Sequence, residues 1–232
     1  MWEEQFVFFA QHYRVIRYDM RGAGQSETTP STDPYAHHED LHQLLQGLQV
    51  QKVSLVGLSN YGVALDFAIA YPHLVRNLIL VSPGLRGYEF RDSWVGGRAA
   101  AMLQALGQRD LAGAVEVFLT MWVDGPYRTL TMVDPVVRER VREMVTHSFP
   151  LSRLAPNVCG LEPPAIGRLG EVRAPTLIVL GDQDAPDIHA IGHLIHYHVT
   201  GSKLVTIPTV GHTLVMEKPA EFNTLIDQFL RG

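Results

Sequence analysis

Short apolar runs rich in branched side chains alternate along the chain with stretches whose apolar residues recur at helical spacing. This is the pattern of strands and helices that build a parallel sheet. Trp2, Phe6 and Phe9 are spaced for one helical face, and Arg14–Tyr18 (RVIRY) then reads as a strand ending at Asp19 in a glycine-rich turn, RGAGQS. Asp33 is placed to cap a helix whose first turn takes Pro34, with Leu41, Leu44, Leu45 and Leu48 on its buried side. Lys52–Leu58 (KVSLVGL) predicts a strand running directly into Ser59, and a helix follows from Ala64 to Tyr71, stopped by Pro72. Val75–Val81 (VRNLILV) is a continuous apolar strand, as expected where both faces of a sheet are covered.

Between residues 86 and 168 the alternation stops. Ala99–Leu106, Leu111–Trp122 and Pro135–His147 read as helices separated by Gly and Pro, which predicts a helical cap inserted into an α/β core made of residues 1–85 and 169–232. Strand and helix order resumes with Pro175–Leu180, a helix near Ile188–Tyr197, and Lys203–Ile207. In the last helix Pro219 falls in the first turn, with Phe222, Leu225, Ile226, Phe229 and Leu230 inward.

Composition narrows the function classes. At 232 residues, 46% hydrophobic and 19% charged, with net charge −5, the chain suits a globular domain with a substantial core. No Lys/Arg stripe offers a phosphate-backbone footprint, so no nucleic-acid partner is expected. No apolar run of membrane-spanning length occurs, and Glu3 and Glu4 stand where a signal peptide carries positive charge. The single cysteine, Cys159, cannot form an internal disulfide, which fits a cytoplasmic setting.

Three segments carry chemistry. In Gly57-Leu58-Ser59-Asn60-Tyr61-Gly62 a serine stands on a sharp turn between a strand and a helix. That turn lifts the hydroxyl above the sheet edge and aims the backbone N–H of Asn60 where an oxyanion would develop. LIVLGDQDAP places Asp182 and Asp184 just beyond a strand end, where α/β sheets build their sites, and either qualifies as an acid. TVGHTLVMEKP places His212 in a turn after the next strand. Serine, acid and histidine in that order, each following its own parallel strand, match a nucleophile–acid–base set.

From residue 2 onward the chain resembles the α/β-hydrolase superfamily, close to its esterase, lactonase, perhydrolase and carbon–carbon-bond hydrolase branches, through YDMRGAGQS, LVGLSNYG, LIVLGDQDAP and VGHTLVMEKP. The resemblance implies a mostly parallel sheet flanked by helices, and it selects Asp184 over Asp182 as the acid. It further implies a serine hydrolase of the carboxylesterase type, cleaving an ester-like bond with no metal or organic cofactor; the hydrophobic roof that the cap would place over Ser59 favours a small-to-medium apolar substrate. Two departures stand out. Tyr61 replaces a small residue two positions after the serine. The strands and His-Gly loop that open related chains, including a strand between Arg14–Tyr18 and Lys52–Leu58, have no counterpart. A longer natural chain, closure of those two strands onto each other, or pairing by a second copy in a homodimer would each answer the gap. A binding or signalling protein that keeps the triad but turns over slowly is the reading from another class.

Other features are weighed against blander roles. His189, His193 and His196 share one helical face, but Ile188, Ile191, Leu194 and Ile195 occupy the opposite one, so the histidines read as its solvated side rather than a metal site. His37 and His38 at a helix start read as exposed. RGAGQS lacks the lysine of a nucleotide-binding loop. Tyr88, Phe90, Trp94, Phe118, Trp122 and Tyr127, with Met121, either line an acyl pocket or pack the cap; Tyr61, Tyr88, Trp94, Met121 and Trp122 are the pocket candidates.

Overall fold

A computed structural model describes residues 1–26, 33–59, 62–152 and 157–232. Its centre is a four-stranded parallel sheet in the order β2 (Val53–Leu58), β3 (Val75–Val81), β5 (Thr176–Gly181), β6 (Lys203–Ile207). A two-residue parallel pair, β1 (Tyr35–Ala36) with β4 (Val158–Cys159), lies apart from it. β3 and β5 are buried almost throughout, which is why their sequences run apolar without alternation.

Helices cover both faces. One face receives α2 (His37–Gly47), α3 (Val63–Ala70) and α7 (Pro186–His198), whose Leu41, Leu45, Phe67 and Ile191 join Leu55, Leu78 and Ile178 of the sheet. The other receives α1 (Glu3–Phe9) and α9 (Pro219–Arg231), with Phe222 and Ile226 against Ile79, Val81, Leu177 and Val179. Buried Gln5 ties these two helices together, donating to the Asn223 side chain and to the Val215 carbonyl. Between β3 and β5 the chain is mainly helical: α4 (Ser93–Gly107), α5 (Leu111–Leu119), a π turn at Thr120–Asp124, and α6 (Pro135–Ser152). Val115, Leu119, Val123, Val133 and Val141 give α5 and α6 a small apolar centre of their own.

Three expectations are corrected. Arg14–Tyr18 forms no ladder: it and β2 line a shared cavity of about 660 Å³, together with Phe6, Leu41 and Leu45, and the cavity follows β2 to Ser59. The two segments therefore do not close up. Among the described residues β2 pairs on one side only, and Val56 is 39% exposed although its one sheet neighbour, β3, is buried almost throughout. The second correction is at Asp33 and Pro34, which precede β1 instead of opening the helix; α2 starts at His37 after Ala36 in extended conformation. The third is that His37 and His38 are buried, with the Tyr35 ring edge-on against His37; burial lowers both imidazole pKa values. His193 and His196 are exposed and His189 half-buried on α7.

Candidate functional site

Because the four strands run parallel, the residues that follow β2, β5 and β6 gather at one edge of the sheet. Ser59 follows β2 directly with φ +51, a left-handed conformation that a serine adopts only when its surroundings hold it there. Its N–H donates to the Val81 carbonyl at 3.0 Å, and its carbonyl accepts from Gly62 at 3.0 Å and Gly84 at 3.3 Å. The glycines in this motif are steric requirements. A Cβ on Gly57 would stand 2.6 Å from that of Ala64, so strand and helix could not approach as they do. Gly62 has φ +73 and faces the Gly84 carbonyl, which a Cβ would meet at 2.9 Å. Asn60 and Tyr61 lie outside the described residues.

The acid and base loops meet through their backbones. Asp182 donates its N–H to the Ile207 carbonyl and Gln183 to that of Val210, both at 3.0 Å. These bonds turn the next residue, Asp184, toward His212: imidazole Nδ1 lies 3.1 and 3.0 Å from its two carboxylate oxygens. Asp184 is 2% exposed and His212 6%. Burial alone would raise the Asp184 pKa; the adjacent imidazole, aided by the Ala185 N–H at 2.8 Å, outweighs it and holds the pKa below the usual carboxylate value. The structure thus brings Asp184, and not Asp182, to the histidine. A carboxylate so held fixes the proton on Nδ1 and leaves Nε2 as the basic nitrogen.

The π turn after α5 carries Trp122, whose ring centroid lies 4.5 Å from that of His212. Met121 beside it is buried in the main core, which Tyr88 and Trp94 also pack against. The Tyr88 hydroxyl donates to Asp187 at 3.0 Å. None of these lines the cavity along β2. Phe90 and Tyr127 are exposed, and Phe118 packs edge-on against Phe149.

A sequence profile of the Alpha/beta hydrolase family matches residues 1–225. The chain belongs to that family. Similar proteins include a putative 2-succinyl-6-hydroxy-2,4-cyclohexadiene-1-carboxylate synthase of Bacillus subtilis (strain 168), 26% identical, with 94% of this chain and 81% of that protein covered. 3-Oxoadipate enol-lactonase 1 of Acinetobacter baylyi is 25% identical, covering 100% and 84%. Among solved structures, a bromoperoxidase from Bacillus anthracis superposes with a TM-score of 0.82 at 26% identity, covering 100% of this chain and 87% of that one. Enzymes, hydrolases prominent among them, are thus the company this chain keeps. One architecture serves these differently named enzymes, so membership gives the fold and leaves the reaction to be argued from side chains.

Sequence reasoning missed Arg128 and Glu217, which sit buried against the His212 turn. Charged residues read as surface unless their partner is known, and these two lie 89 positions apart.

Proposed function

We propose that this protein is a serine hydrolase of the carboxylesterase type, cleaving a carboxylic ester or ester-like bond of a small-to-medium apolar substrate through a Ser59 acyl-enzyme. The observation that carries this is the buried Asp184–His212 pair at the same sheet edge as a serine held in a strained turn. In this mechanism His212 takes the Ser59 proton as the hydroxyl oxygen attacks the carbonyl carbon. Asp184 keeps the imidazole in the correct tautomer and stabilises its cationic form. Proton return to the leaving alcohol releases it, and a water deprotonated by His212 then frees the acid. The backbone N–H of Asn60 is assigned to the oxyanion by its position after the nucleophile. The enol-lactonase relative supports an internal or open ester as substrate.

The same proposal treats residues 86–168 as a cap over the core formed by 1–85 and 169–232; Trp122 against His212 supports it, since an indole there shields the base from water. A cytoplasmic location is in keeping with the exposed free thiol of Cys159. Among the described residues no helix is long and apolar enough to cross a membrane.

A fluorophosphonate probe and a panel of p-nitrophenyl esters, lactones and thioesters test the reading. The expected result is probe attachment at Ser59 with parallel loss of ester hydrolysis, both abolished by Ser59→Ala. Absence of labelling together with hydrolysis of none of the panel refutes it.

A further inference from the structure

The turn bearing His212 is held by a second carboxylate besides that of Asp184. Glu217, the last residue of α8 (Leu214–Glu217), folds its carboxylate back beneath the turn. One of its oxygens accepts from the Gly211 N–H at 3.4 Å and from the Thr213 hydroxyl at 2.9 Å, the two residues flanking His212. The same carboxylate takes two contacts from the Arg128 guanidinium, and the two side chains are only 7% and 1% exposed. The other face of that guanidinium donates to the carbonyls of Val123 and Asp124, within the π turn that carries Trp122. A Cβ on Gly211 would come within 2.4 Å of an Arg128 nitrogen, so the residue before the histidine is glycine for this contact.

One buried cation therefore joins the turn of the indole to the turn of the imidazole. Burying such a pair is poor value as stabilisation, since apolar side chains of similar volume often do as well or better. What apolar packing cannot supply is direction. Two contacts from the arginine and bonds to both neighbours of His212 leave the turn one arrangement.

We propose that Arg128 and Glu217 are positioning residues: they set the His212 imidazole against Asp184 and hold Trp122 over it, so that proton transfer depends on how the helical segment docks. This rests on the hydrolase reading above. It is tested with Arg128→Met/Glu217→Leu, which keeps volume and removes direction, and with Glu217→Gln, which keeps an acceptor for Gly211 and Thr213. The double variant is expected to melt near the parent while kcat on a p-nitrophenyl ester falls about 10²-fold, the scale of a 1 Å misplacement, with KM little changed. Glu217→Gln recovers most of that loss. Independently of turnover, the downfield proton resonance of His212 Nδ1–H is expected in the parent and lost in the folded double variant. A parent that turns nothing over but shows this difference would sink the hydrolase reading and sustain the positioning role. A folded double variant that keeps the parent's resonance, or its kcat where the parent turns over, overturns it. Should the double variant not fold, Thr213→Val removes one bond only: a lowered kcat supports the proposal and an unchanged one refutes it.

Discussion

Replacing Gly181 with alanine puts a methyl group at the junction of the acid and base loops. Its Cβ would stand 2.3 Å from the Val210 carbonyl oxygen and 2.5 Å from that of Gly211. Carbon and oxygen in contact settle near 3.3–3.6 Å, so these carbonyls must retreat by about 1 Å. Both are backbone, and the adjacent β5–β6 ladder resists the movement, so a cost of about 1–3 kcal/mol is expected, as for other overpacked sites. At about 2 kcal/mol a domain of this size melts roughly 4–8 °C lower. The same retreat carries His212 from Asp184: a contact at 3.0 Å lengthened by about 1 Å is no longer a hydrogen bond. Ester turnover and fluorophosphonate labelling should therefore fall about 10²-fold, well below the parent even at temperatures where the variant is folded. Gly97→Ala is the control: it lies inside α4 with nothing within 4 Å of the new Cβ, and should leave activity intact while gaining up to about 1 kcal/mol. A Gly181→Ala protein with the parent's Tm and turnover would show that the two loops are not held by that approach.

Other outcomes follow from single groups. Asp184→Asn should keep the fold and lower turnover by about 10³–10⁴, since the amide can hold the wrong tautomer of His212. With its pKa depressed, Asp184 contributes stability that is complete above the ordinary carboxylate pKa and is lost as pH falls through its lower folded value; melting in acid should show that loss in the parent and not in Asp184→Asn. Buried Asp66 behaves oppositely: desolvation, only partly offset by Arg86, pushes its pKa up to about 6, so its contribution is greatest below pH 4 and declines as pH rises to 6. Asp66→Asn should flatten the melting profile between those limits by on the order of 1–2 kcal/mol, and an unchanged slope would remove Asp66 as its source. Trp122→Ala should reduce ester turnover without shifting Tm as far as Gly181→Ala does, because it uncovers His212 rather than displacing it.

The strands were readable where a mostly apolar run is bounded by turns: VRNLILV is β3 residue for residue, buried almost throughout, and KLVTI is β6, the half-exposed strand at the sheet edge. Arg14–Tyr18 carries the same kind of pattern and fails as a strand, since pattern reports a segment's preference while a ladder also needs a neighbour. The strand-end positions of the candidate residues Ser59, Asp184 and His212 were legible from short motifs, and the resemblance chose Asp184 over Asp182 as the histidine's partner before the hydrogen bonds did. The burial of His37 and His38 was not legible, because polar residues at a helix start read as exposed unless the tertiary packing around them is known. Arg128 and Glu217 escaped for the same reason: nothing local marks a charge that will be enclosed.

The one-sided pairing of β2 divides the site into unequal halves. Asp184 rides on the loop after β5, which is buried and paired on both sides, and His212 follows β6 at the opposite edge of the sheet, whereas Ser59 ends the strand whose outer amides face the cavity. In native-state hydrogen exchange, the β5 amides should therefore outlast those of β2, and local opening should loosen the serine well before it disturbs the acid.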